Sequence, residues 1–125
     1  MTDIVLLFYT INQGGDELGG QISSDLLRGH TDTIVLGILI EGDNYGYGIY
    51  KRIIEKSDEL YEIKEATLYS SFRRLEKAGS ISSYWGDETQ GGRRKYYKVT
   101  ALGKNSYELS KKDWEFTKRI IDKLI

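Results

Sequence analysis

Two short stretches of this chain gather the groups that neutralise polyanions. Gly91-Gly92-Arg93-Arg94-Lys95 sets three cations directly behind two glycines, with Lys98 three residues further on. Thr67, Tyr69, Ser70, Arg73, Arg74 and Lys77 fall close together upstream. Guanidinium and ammonium groups bind phosphates, and short hydroxyl side chains let a helix come close to base edges. Glycines ahead of the cations free the backbone for phosphate or minor-groove contact.

Other chemistry is removed by composition. The chain has 125 residues, no Cys, no Pro and one His, His30. Without Cys there is no disulfide, no thiolate metal site and no thiol nucleophile. A single His leaves no multi-His metal site and no nucleophile, base and orienter set. No catalytic residue, metal or cofactor is therefore expected, and the chain is not read as an enzyme. Ten of the aromatic residues are Tyr, so most aromatic bodies carry a polar tip. The length suits one domain with a modest core.

The net charge of −1 is a sum over unlike segments. Residues 1–50 carry one base against seven acids, and residues 51–104 carry twelve bases against eight acids. Residues 105–125 are close to balance, with five bases and four acids. The middle of the chain is the part suited to a polyanion.

The elements that must position these groups follow from periodicity. Ser23 to Glu41 reads as a first helix, with Leu27, Ile34 and Ile38 at helical spacing and Ser23 or Ser24 as cap. His30 falls mid-way along it, where a surface or dimer contact is expected. Gly42-Asp43-Asn44 is a turn, with Asn44 a cap for a second helix over Tyr45 to Ser57. Ile49 and Ile53 form its inner stripe, and Gly46 and Gly48 imply close backbone packing. A third helix covers Glu65 to Ala78, burying Leu68, Phe72 and Leu75 and ending at Gly79. Ser70 and Lys77 point away from that buried face, Thr67, Arg73 and Arg74 flank them, and Tyr69 lies at its edge. Ile81 to Trp85 and Lys95 to Val99 read as two strands joined by a long basic-ended loop. Thr100 caps a last helix that runs to the C-terminus. The order predicts an α+β, mainly α fold: a winged helix-turn-helix with a C-terminal dimerisation helix.

The last helix carries two apolar stripes. Tyr107, Ser110, Trp114, Thr117, Ile121 and Leu124 follow three-four spacing, and Leu102, Leu109, Phe116 and Ile120 form a looser second row. One stripe can cover the domain's own first helix. The other, centred on Trp114, calls for a second copy, with Tyr107, Trp114, Ile121 and Leu124 at the seam. The domains expected are 1–21, a peripheral extension, 22–100, a DNA-binding domain, and 101–125, a dimerisation helix. The apolar run at residues 4–11 is too short for a membrane span and lacks the basic flank of a signal peptide, so a cytoplasmic protein with no membrane partner is expected.

Several motifs, in order, resemble those of the PadR family of transcriptional regulators. Asp43-Asn44-Tyr45-Gly46-Tyr47-Gly48-Ile49 is similar to the family's second-helix signature. Glu65-Ala66-Thr67-Leu68-Tyr69 and Arg74-Leu75-Glu76-Lys77-Ala78-Gly79 are similar to its recognition helix. Gly91 to Thr100, with Gly103 following, is similar to its wing and final-helix start. The resemblance covers residues 22–124 and is greatest to the family's short, multidrug-sensing type. It implies a homodimeric repressor on a palindromic operator in double-stranded DNA. It also implies a flat pore lined by two Trp114 side chains, with Ser110 and Lys118 nearby, where planar aromatic small molecules bind and loosen DNA binding. Two positions depart from the pattern. Ser70 stands where many members have Pro, and Lys118 stands where the drug-binding type has an acid, which sets a charge against cationic ligands. The alternative is a winged-helix protein-interaction or small-molecule-sequestering module without an operator.

Overall fold

The computed structural model describes residues 22–87 and 92–125. The apolar run at 4–11 and the glycine pairs that follow it lie outside the described residues, as do Gly91 and loop residues 88–90. Among the described residues eight elements follow in order: α1 (Ser24–Leu27), α2 (Thr31–Glu41), β1 (Asn44–Tyr45), α3 (Gly46–Lys56), α4 (Glu65–Lys77), β2 (Ile81–Trp85), β3 (Lys95–Val99) and α5 (Ala101–Leu124). The fold is mainly helical with one small antiparallel sheet, in strand order β1-β3-β2.

The core is built around α2. Val35, Leu36, Ile38 and Leu39 are all buried, so this helix is apolar on most of its circumference and must be enclosed by others. Ile49 and Ile53 of α3, Leu68, Phe72 and Leu75 of α4, and Ile81, Tyr97 and Val99 of the sheet close over it. Ile63, in the turn between α3 and α4, completes the cluster.

The expected first helix is two helices. The chain turns at Arg28–His30, where the His30 N–H donates to the Leu27 carbonyl at 2.9 Å. Gly29 lowers helix propensity at this point by about 1 kcal/mol relative to Ala. His30 thus sits at the N-cap of α2 and not mid-helix, and its side chain makes no capping hydrogen bond. Ser23 caps α1, its oxygen accepting from the Asp25 N–H at 3.1 Å.

Asn44 differs from expectation too. It does not cap α3, because Asn44 and Tyr45 pair with Tyr97 and Tyr96 as a two-residue edge strand. Tyr45 takes the N-cap position, in extended backbone and without a side-chain capping bond. The two glycines of α3 are close-packed as expected. A Cβ on Gly46 would stand 2.6 Å from the Tyr69 hydroxyl, and one on Gly48 would strike the Asn44 side chain.

Helix α4 ends in a Schellman motif. Gly79, at φ +78°, donates to the Glu76 carbonyl, and Ser80 donates to that of Leu75 at 2.9 Å. The hairpin register pairs Ile81 with Val99, Ser83 with Tyr97, Tyr84 with Tyr96, and Trp85 with Lys95. Thr100 caps α5 as expected, accepting from the Gly103 N–H at 3.1 Å. Its hydroxyl donates to the Gly79 carbonyl at 2.7 Å, which ties the end of α4 to the start of α5.

Glu41, at the end of α2, accepts from Arg52 Nε at 2.9 Å and Lys56 Nζ at 2.5 Å on α3. The Arg52 hydrogen bond, then that of Lys56, pull its carboxyl from an ordinary 4.5 down to about 2. A depressed carboxylate stabilises the fold above its unfolded value and loses that contribution as pH falls through its folded value. Glu41→Gln should therefore lower stability modestly at pH 7, by about 1 kcal/mol or less because the pair is half-exposed. The difference from the parent should vanish near pH 2. Urea melts of both proteins from pH 7 down to 2 check the trend.

Candidate nucleic-acid interface

Helix α4 has two faces. Leu68, Ser71, Phe72 and Leu75 are buried beneath it. Thr67, Arg73 and Lys77 are exposed and Ser70 is half-buried on the outer side. Arg73 Nη2 donates to Ser70 Oγ at 3.1 Å, one turn back, which lays the guanidinium along the outer face. Tyr69 sits at the edge, as expected, with its ring edge-on to Phe72 at 5.2 Å. An exposed face of this kind, short and hydroxylated near its start and cationic towards its end, is open to a groove.

Arg74 is disposed differently. Its Nη2 and Nε donate to the two oxygens of Asp32 at 2.7 and 3.2 Å. The hydrogen bond to Asp32 raises its pKa above the ordinary guanidinium value. Asp32 also accepts from Ser71 Oγ at 2.6 Å, and Ser71 is completely buried. The carboxylate belongs to the first turn of α2, where the helix dipole favours it.

The wing is braced by aromatic rings. Arg94 lies over the Tyr45 ring at 4.6 Å and Arg93 over the Trp85 ring at 5.6 Å. Tyr45 meets Tyr96 edge-on at 5.6 Å, and Tyr96 stacks on Tyr84 at 5.7 Å. The Tyr84 hydroxyl donates to Asp43 at 2.6 Å, which pushes its own titration up. A guanidinium over a ring is held by its face, so its N–H edges stay available to an anion. Lys95 instead leans back on α4, with its Nζ 3.7 Å from Glu76. Glu76 also accepts from Ser83 Oγ at 2.8 Å, so the wing and the recognition helix share a carboxylate.

The structure thus brings Thr67, Ser70, Arg73 and Lys77 together on the outer side of α4 and puts Arg93 and Arg94 just ahead of β3, against Trp85 and Tyr45. Arg74 and Lys95 are turned towards carboxylates. The supports at Asp32, Tyr45, Glu76 and Trp85 escaped the sequence reading. Their partners are set by the tertiary fold, and no local pattern announces them.

On α5, Tyr107 does not join an exposed seam. It is half-buried against α2, and a Cβ on Gly37 would stand 3.0 Å from its ring. Ser110 is half-buried, while Lys118, Ile121 and Leu124 are exposed. Trp114 is 44% exposed, and its ring meets the His30 ring edge-on at 5.0 Å. The second stripe, with Leu102, Leu109, Phe116 and Ile120, is exposed. Among the described residues, no cluster could hold a metal ion, and no helix is long and apolar enough to cross a membrane.

Residues 35–109 match the model of the PadR-like family of transcriptional regulators. The chain belongs to that family. It is 56% identical to a transcriptional regulator from Clostridium thermocellum, over 83% of this chain and 98% of that one, with a TM-score of 0.77. A PadR family transcription regulator from Clostridium difficile is similar at 38% identity, covering 76% of this chain and 97% of its own, with a TM-score of 0.68. The fold is also like that of Bacillus subtilis PadR, solved in complex with operator DNA. That likeness has 24% identity, 68% coverage of this chain and 46% of that one, and a TM-score of 0.58. In this PadR-like chain, the contact between Trp114 and His30 has a direct optical readout. In a Trp85→Phe background, His30→Ala should shift Trp114 emission to the red as the indole gains water. An unchanged spectrum would show that the two rings do not meet in solution.

Proposed function

We propose that this regulator is a homodimeric, sequence-specific repressor that acts in the cytoplasm on a palindromic operator in double-stranded DNA. The observation that carries the reading is the outward face of α4. It sets Thr67, Tyr69 and Ser70 ahead of Arg73 and Lys77, beside a wing whose Arg93 and Arg94 rest on aromatic supports. The hydroxyl-bearing residues approach the bases, and Arg73, Lys77, Arg93 and Arg94 take phosphates. Lys95, at the base of the wing, shares its charge with Glu76 and contributes less. Bacillus subtilis PadR, in complex with operator DNA, supports the placement of this fold on a duplex.

The second copy is called for by α5. At 24 residues this helix is about 36 Å long, and beyond Ser110 its side chains are all exposed. Phe116, Ile120, Ile121 and Leu124 form an apolar row there. A row of that kind is stable in water when a two-fold mate covers it, and a two-fold protein matches a palindrome.

The effector is a planar aromatic compound that stacks on Trp114 near the dimer axis, with Ser110 and Lys118 beside it. His30 on the edge of that ring begins α2, and Asp32 two residues on holds the recognition helix. A ligand that moves Trp114 therefore acts within a few side chains of the DNA-reading face. Lys118 selects against flat cations, so neutral or anionic rings are the fitting class.

Mobility-shift titrations on the chain's own promoter fragment at two salt concentrations test the DNA reading. Arg93→Ala with Arg94→Ala removes four arginines from the dimer and should reduce the slope of log affinity against log salt by about 3.6. Promoter binding that is indifferent to this pair would refute the wing assignment. For the effector, an anionic naphthalene sulfonate should quench Trp114 more than a cationic bisbenzimide dye does. The loss of that quenching in Trp114→Phe separates it from Trp85.

A further inference from the structure

We infer that Arg74 positions the recognition helix and does not contact DNA, an inference that rests on the DNA-binding reading above. Among the described residues, Arg73, Lys77, Arg93 and Arg94 are exposed and none of them pairs with a carboxylate. Arg74 spends its fork on one carboxylate, with Nε on one oxygen of Asp32 and Nη2 on the other. A two-point contact between planar groups sets orientation as well as distance.

The same carboxylate accepts from Ser71, three residues before Arg74, whose side chain has no exposed surface. Asp32 therefore grips α4 at two positions one turn apart, one on its buried face and one on its flank. Both contacts join α4 to the first turn of α2, the helix that the core encloses. A rotation of α4 about its axis would break both. The clamp fixes which residues of α4 face outward, and so the alignment of Thr67, Ser70 and Arg73 with a groove.

The charge balance points the same way. With Asp32 at 2.7 Å, the positive charge of Arg74 is offset where it stands. It adds little to the field that attracts phosphates, and its loss releases no counterion. The pair is about half exposed, so its worth to overall stability is small and its effect falls on geometry.

The test measures affinity for a promoter fragment and for unrelated DNA of equal length, each as a function of salt. Arg74→Ala should cut the ratio of the two affinities by roughly tenfold and leave the salt slope on unrelated DNA unchanged. Arg74→Lys should behave like Arg74→Ala, because an ammonium keeps the charge but lacks the fork. Asp32→Asn should lower the same ratio, and Asp32→Asn with Arg74→Ala should lower it no further than either alone. A phosphate contact gives the opposite pattern. Arg74→Ala then reduces affinity equally on both DNAs, the slope falls by about 1.8 for the two copies in the dimer, and Arg74→Lys resembles the parent. A second measurement needs no DNA. The Arg74 Nε proton should exchange slowly with solvent in the parent and quickly in Asp32→Asn, and equal rates would overturn the clamp. A parent that binds neither DNA but shows this protection would refute the DNA reading and leave the clamp standing.

Discussion

The enclosure of α2 is the constraint on which the other elements depend. Val35, Leu36, Ile38 and Leu39 present apolar surface in several directions, and water is excluded from all of them only if α3, α4, α5 and the sheet each take a side. Burial of four such side chains contributes several kcal/mol, at about 1.5–3 kcal/mol each. This helix is therefore the fixed reference against which the recognition helix is oriented. Asp32 in its first turn and Glu41 at its end convert that fixed position into polar ties to α4 and α3. The α5 helix is tied less fully. Its first turns are held by Thr100, Gly103 and Tyr107, and the rest projects with its apolar residues uncovered.

Cations in this molecule divide by what they rest on. Arg74 leans on a carboxylate, Arg93 and Arg94 lean on rings, and Lys95 lies between Glu76 and the Tyr97 ring. The distinction is physical. A carboxylate takes up both the charge and the hydrogen-bond donors of its partner, while a ring face takes neither donor and only part of the charge. Counting basic residues in a window cannot separate the two groups. The abundance of Tyr has a related meaning, since Tyr45, Tyr84 and Tyr96 pack on one another across the sheet and Tyr45 still offers its ring face to Arg94.

Much of the fold was legible along the chain. The spacing of Leu68, Phe72 and Leu75 gave the buried face of α4, and Gly79 gave its end. The β-branched and aromatic runs gave both long strands at the residues where they occur, and Thr100 gave the cap of α5. The break at Gly29 was hidden by apolar residues that keep helical spacing across it. Strand β1 was hidden because two residues carry no periodicity, and only β3, far along the chain, makes Asn44 and Tyr45 a strand. Within the candidate interface, residue types were readable and their partners were not. Asp32 and Arg74 are 42 positions apart, and Glu76 and Lys95 are joined only by the hairpin's return.

Sequence alone determined the class of the protein: the order of helices and hairpin, the cations grouped in the middle of the chain, and the absence of Cys and of a second His. These are properties of local periodicity and composition, and they survive without knowledge of any contact. The tertiary structure decided which cations remain available, which ring braces which arginine, and that Tyr107 turns inward while Trp114 meets His30. Those outcomes depend on distances between residues remote in sequence. Such distances follow from how whole helices pack around α2, and no window of neighbouring residues contains them.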